Sequence, residues 1–399
     1  MTISQFQVKA EGPAETQPLS KHSLFLATRQ FASLDGVRCL CILAVIWHHS
    51  PRRLNDGLAS RGFLGVDMFF VLSGFLIVTL LLRERRRTGT ISLKNFYMRR
   101  TLRIFPAYYF LLFGTLAACL AFRSGSGMTR DLIRAFPYLA SYTSNWVTFA
   151  GVNLGIVWSL ATEEQFYLAW PAAEKYLSPR ALLVALAAIF AVNVSINFRL
   201  LDPLFVAIYG VYPALEILQV TFTPIALGVL LAHALDDSRG FPAIARLVGW
   251  PGAPWAFAAG LMLLISLAPG DIAGWPRPAI QFAMALTLAS LVVREDHAAR
   301  AILSWKPIRV IGLISYGMYL YHMWCIHAAR VAVGKLGLGE GACFPAAVLV
   351  TAAVAAISFR FLEGPALRFK RFFGGAPALS RPPARSADEP GYGRARRLH

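Results

Sequence analysis

The chain has 399 residues, 56% of them hydrophobic and only 15% charged, with a formal net charge of +18. Soluble domains carry about 25% charged residues, so this composition and a mean hydropathy of +0.53 exclude a soluble protein. A charge of +18 would point to nucleic acid in a soluble chain. Here it points to Lys and Arg crowding one side of a bilayer, where basic loops also meet lipid headgroups or a phosphorylated small molecule, and no nucleic-acid partner is expected.

The fold class that follows is an all-α polytopic membrane protein, because several apolar runs reach the roughly 20 residues that cross a bilayer as a helix. Residues 1–32 read as a cytoplasmic tail, flexible to about residue 30, without the basic-apolar-small pattern of a cleaved signal peptide. The first span, 33–49, is then a retained anchor. Further spans are expected at 63–82, 104–122, 153–173, 181–198, 216–234, 254–269, 277–293, 310–332 and 343–362, about ten in one bundle. The loop 123–152 carries a semi-apolar part, Phe136 to Phe149, suited to the interface or to a dip into the protein. Residues 33–369 form the transmembrane domain, and 370–399 are a basic, Pro- and Gly-rich tail expected to be disordered. With the N-terminus inside, 27 of the 39 Lys and Arg fall in cytoplasmic segments and 10 in outer loops, which places both termini in the cytoplasm. The densest basic run is 83–103; the loop with Arg294, Arg300, Lys306 and Arg309 reads as a topological marker of the same kind.

Leu34 to Ser50 holds the first candidate site residues. Arg38 and His49 are 11 residues apart, about 20° past three helical turns and about 16 Å along the axis, so they share a face. His48 lies about 80° off that face. Charge inside a membrane helix is expensive and marks function by default; the competing reading is an arginine that snorkels to the interface. Arg100 and Arg103 stand at i and i+3 at the start of the third span, and guanidinium forks bind phosphate oxygens. Asp67 lies at the depth of His49, either orienting it or pairing structurally with Arg61 or a tyrosine. Glu163 lies mid-span in the fourth segment, whereas Glu164 points elsewhere and reads as structural. Ser315, Tyr316, Tyr319 and His322 occupy the ninth segment, with His322 and Tyr319 readable as a supporting network. Arginines on the cytoplasmic side and titratable groups at the middle and outer side suit an enzyme that takes an activated donor from within. Cys39, Cys41, Cys119, Cys325 and Cys343 lack metal-ligand spacing with histidine and read as small buried hydrophobes, so no metal and no disulfide framework are expected.

Six stretches in order carry a resemblance: LDGVRCLCILAVIWHH (34–49), GVDMFFVLSGFLI (65–77), FYMRRTLRIFPAYY (96–109), WSLATEEQFYLAWP (158–171), ISYGMYLYHMW (314–324) and FRFLEGP (359–365). Over about residues 33–369 the chain resembles the acyltransferase-3 membrane acyltransferases, which O-acylate bacterial surface sugars and related glycosides. The family's Arg-x10-His pattern falls on Arg38 and His49, its Arg-x-x-Arg on Arg100 and Arg103, and its Trp-Ser-Leu-x-x-Glu on Trp158, Ser159, Leu160 and Glu163. The resemblance, to the stand-alone members, implies a ten-helix core in the bacterial inner membrane. It implies an acyl-CoA donor, most often acetyl-CoA, no permanently bound cofactor, and a carbohydrate or glycolipid acceptor. His49, Asp67 and Glu163 are then the expected catalytic residues; Arg38, Arg100 and Arg103 hold the donor; Ser159, Tyr319 and His322 support them. The alternative is a multi-pass transporter using the same Arg, His and Glu residues as a solute or proton path, against which the lack of a strong internal repeat argues.

Overall fold

The structure, a computed structural model, describes residues 20–28, 30–50, 57–147, 154–209 and 222–373. The expected tail beyond 373, residues 1–19, the loop 51–56 and the first part of the sixth segment lie outside the described residues. Among those described, every regular element is a helix. In chain order they are α1 (Lys21–Ala27), α2 (Ala32–His49), α3 (Leu64–Thr88), α4 (Leu93–Phe122), α5 (Gly127–Ala140), α6 (Trp158–Tyr176), α7 (Pro179–Asn197) and α8 (Asp202–Tyr209). There follow α9 (Thr223–Asp236), α10 (Gly240–Val248), α11 (Ala253–Leu267), α12 (Pro276–Val292), α13 (Arg300–Leu303), α14 (Lys306–Leu313), α15 (Ser315–Lys335) and α16 (Cys343–Ser358).

A helix overlaps each of the ten expected segments. By length and apolarity, however, four stretches among the described residues can cross a membrane: Ser60–Thr88, Leu93–Phe122, Pro179–Asn197 and Glu340–Phe373. The number rises to 6 if two bent pairs, α1 with α2 and α10 with α11, each count as one span. The other helices fall short for a physical reason. Helix α9 is short, and α6 carries Glu163, Glu164, Glu174 and Lys175.

Local chemistry explains the boundaries. Ser92, Ser126 and Ser178 cap α4, α5 and α7 by accepting a backbone N–H three residues on, and Pro179 follows at the first helical position of α7. The semi-apolar loop expected at 136–149 opens instead with the end of α5, a helix with one apolar face buried through Leu132, Ala135 and Leu139. Part of the expected N-terminal tail is also ordered. Phe25 of α1 is buried against Phe31 and Phe241, and the Arg83 guanidinium lies over the Phe25 and Phe31 rings at 5.6 and 5.3 Å.

Helices α3 and α9 cross at backbone contact. A Cβ added at Gly74 would stand 2.2 Å from the Ile225 carbonyl oxygen, and one at Gly228 would stand 2.2 Å from that of Val71. Small residues permit this approach, which van der Waals packing rewards in an apolar surround. Phe70, Phe75, Ile77 and Leu81 of α3 are fully buried, so α3 is the central wall against which the site helices are placed.

Candidate active site

Two cavities meet inside the helices. The first, of about 650 Å³, is lined by Arg38, Arg100, Arg103, Glu163, Ser159 and Tyr319, with further arginines toward its mouth. Arg38 donates to Asp35 Oδ1 at 2.7 Å, one turn back on α2. The Arg100 guanidinium lies 4.5 Å from the centre of the Tyr167 ring. Arg100 and Arg103 have no carboxylate within ion-pair distance among the described residues. Glu163 sits in the field of Arg100, Arg38 and Arg103, and near Ser73, whose hydroxyl bonds that of Tyr167. The Ser159 and Tyr319 hydroxyls are 2.7 Å apart, and both reach the Ile156 carbonyl, at 3.3 and 2.9 Å.

The second cavity, of about 430 Å³, is lined by His48, His49, Asp67, Trp158, Arg277 and Tyr319 among others. His49 Nδ1 lies 2.9 Å from the Val45 carbonyl. A carbonyl only accepts, so Nδ1 carries the proton of the neutral ring and Nε2 keeps its lone pair. The His322 ring is 5.0 Å away, centre to centre. Its Nδ1 bonds the Tyr319 carbonyl at 2.7 Å, and its Nε2 is buried without a partner among the described residues.

Asp67 has partners other than the expected imidazole. Arg277 donates from Nε and Nη2 to its two oxygens, both at 2.9 Å, and Gln281 Nε2 donates at 2.8 Å. Arg61, the pairing alternative, instead donates to the carbonyls of Ala268 and Gly270 at 3.1 and 3.3 Å. Arg277 and Gln281 were missed by sequence reasoning. Their signal was present, since they lie i and i+4 at the start of the eighth expected segment, one polar face on an apolar helix.

Arg38 and His49 share α2 but open into different cavities, Arg38 into the first and His49 into the second. Val66 and Tyr319 line both, so they form the wall where the cavities meet. His48, set aside on helix geometry, lines the second cavity beside His49 and bonds the Ser60 carbonyl through Nδ1 at 2.9 Å. Glu164, expected to point elsewhere, does not line either cavity, and its Oε1 is buried without a partner among the described residues.

An anion-ready cavity abutting an imidazole with a free Nε2 is an arrangement for group transfer, and the comparison with known families agrees. The acyltransferase-3 profile, described as an acyltransferase domain, matches residues 31–361. The chain belongs to the acyltransferase-3 family. The chain is 31% identical over 380 residues to the O-acetyltransferase OatA of Staphylococcus aureus (strain NCTC 8325 / PS 47), covering 90% of this chain and 60% of that protein. It is 30% identical over 365 residues to the peptidoglycan O-acetyltransferase OatA of Listeria monocytogenes, covering 84% and 55%. Against the putative peptidoglycan O-acetyltransferase YrhL of Bacillus subtilis (strain 168) the identity is 28% over 372 residues, covering 84% and 55%. The chain thus spans between 55% and 60% of the length of these curated relatives. No solved structure matches the chain.

Proposed function

We propose that the protein is a multi-pass O-acetyltransferase of the bacterial cytoplasmic membrane, moving an acetyl group from cytoplasmic acetyl-CoA to a carbohydrate hydroxyl on the far side. The observation that carries this reading is the meeting of two unlike cavities at Val66 and Tyr319, one lined by Arg100 and Arg103 with no carboxylate within ion-pair distance among the described residues, the other holding His49. Ten crossings with both termini in the cytoplasm open the arginine cavity to the cytoplasm. Arg100 and Arg103, with Arg38 nearby, hold the donor's diphosphate, and the pantetheine arm runs inward along Ser159 toward Tyr319. Glu163 offsets the arginine charge beside that path.

The acceptor hydroxyl enters from the second cavity. His49 Nε2 takes its proton while the oxygen forms a bond to the thioester carbonyl carbon. The tetrahedral intermediate then breaks its C–S bond, and the imidazolium returns the proton to the departing thiolate. Asp67, held by Arg277 and Gln281, shapes the acceptor side of the cavity. Two of the relatives are named for peptidoglycan, which makes a peptidoglycan glycan the first acceptor to test. The test is purified protein with acetyl-labelled CoA and peptidoglycan fragments. Base-labile label on a sugar hydroxyl is expected. Label that stays on CoA with every glycan tried, by protein that is folded, overturns the reading.

A further inference from the structure

Three arginines outside the expected donor set line the first cavity, and one of them, Arg83, is engaged by the Thr28 and Phe25 carbonyls, which leaves Arg300 and Arg309. Arg300 opens α13, Arg309 lies in α14, and both line the cavity. Their position is held rigidly by backbone contact with α2. A Cβ added at Gly36 would stand 2.4 Å from the Leu303 carbonyl oxygen. One added at Gly312 would stand 1.8 Å from the carbonyl oxygen of Asp35. No side chain fits at either place, so α13 and α14 lie directly on the turn of α2 that carries Asp35 and Arg38.

Among the described residues no carboxylate lies within ion-pair distance of these cations. The carboxylates lining the cavity are Asp35, Glu163 and Glu295. Asp35 is taken by Arg38 at 2.7 Å. Glu295 lies in the field of Arg300 yet forms no ion pair with it, and Glu163 faces Arg100, Arg38 and Arg103. Among the described residues neither Arg300 nor Arg309 makes a salt bridge, and Arg309 Nε is buried without a hydrogen-bond partner. Burying a cation's donor this way is unfavourable unless an anion arrives. Arg300 is exposed and Arg309 half-buried, so the pair marks the open end of the cavity.

We propose that Arg300 and Arg309 bind the 3′-phosphate of the acyl-CoA nucleotide, separately from the diphosphate held by Arg100 and Arg103. The assignment rests on acyl-CoA being the donor. That donor carries two anionic groups on either side of a ribose, and, with Arg38 held by Asp35 and Arg83 by backbone carbonyls, the arginines left over in the cavity form two pairs on separate elements, α4 and α13–α14. With the pantetheine arm directed at Tyr319, the nucleotide end lies at the mouth, where Arg300 is exposed.

The test compares acetyl-CoA with acetyl-dephospho-CoA, which lacks only the 3′-phosphate, in neutral detergent free of anionic lipid. Loss of one charge-assisted phosphate contact is expected to raise KM about tenfold at unchanged kcat, the size of a single such bond. Wild type therefore prefers acetyl-CoA about tenfold, and Arg300→Ala combined with Arg309→Ala abolishes the preference by raising KM for acetyl-CoA alone. Arg300→Ala by itself, at the exposed end and clear of the α2 contact, shows the same trend and guards against a folding defect. A variant that weakens both donors equally, or neither, overturns the 3′-phosphate assignment while leaving the donor reading intact. An effect that appears only after phosphatidylglycerol is added identifies a lipid phosphate as the ligand and also overturns it. If wild type uses neither donor, the acyl-CoA reading itself falls and this assignment with it.

Discussion

The two cavities use the same residue types in opposite ways. In the first, Arg100, Arg103, Arg300 and Arg309 line the space with no carboxylate within ion-pair distance among the described residues. In the second, Arg277 is locked to Asp67 and Arg199 to Asp271, at 2.9 Å each. Cations left open wait for an anion from outside the chain. Cations already matched contribute shape and hydrogen-bond donors at no net charge, which suits a hydroxylated, uncharged group. On the proposed function, the phosphate-bearing donor would occupy one side of Tyr319 and the carbohydrate the other.

The sharpest way to break that picture is at His49, in the second cavity. His49→Ala is expected to lower kcat by roughly 10²–10⁴-fold, the usual contribution of a general base, with an unchanged melting curve. Transfer at the wild-type rate would remove His49 from the chemistry. Next comes the matched pair. Arg277→Ala leaves Asp67 buried, 1% exposed, and charged without its fork, and should destabilise the fold by about 3–5 kcal/mol. The double variant Asp67→Ala with Arg277→Ala should recover much of that loss, measured by thermal unfolding in detergent. Equal loss in single and double variants would mean that the pair does not act as a unit.

The open arginines should behave in the reverse sense. Acetyl-CoA at about 100 times its Kd is expected to stabilise wild type by about 2.7 kcal/mol. Arg103→Ala should lose most of that gain, while the ligand-free variant melts no lower than wild type because an unmatched cation has been removed. A lower ligand-free melting point would show that Arg103 has an internal partner after all. The smallest effect is reserved for the exposed pair. Arg199 and Asp271 are 55% and 67% exposed, so Arg199→Ala should change stability by about 0.5 kcal/mol or less. A large loss of stability would mean that the outer pair is shielded from water by something beyond this chain.

Much of this was readable in one dimension. The positions of helices at the ten expected segments came from apolar run length and boundary residues. The family came from short motifs in order, and the profile match over residues 31–361 agrees. Arg38, Arg100, Arg103, Glu163, Ser159 and Tyr319 were picked out individually, and the fold brings them to one cavity. What escaped was pairing. Asp67 was matched to nearby candidates in sequence, but its partner lies 210 residues away. Arg300 and Arg309 were read as topological charge, because nothing local distinguishes an arginine in a loop from one that lines a cavity.

The amino-acid sequence by itself determined an all-helical membrane protein, its family, and most of the polar residues worth attention. These follow from composition, period and run length, which are properties of neighbouring residues. Only the tertiary structure decided that Arg38 and His49, on one face of one helix, open into two different cavities. It also decided which arginines are matched and which are left open. Both depend on the packing of α3, α13, α14, α15 and α16 around α2 and of α12 against α3, and such contacts between distant segments leave no local trace in the chain.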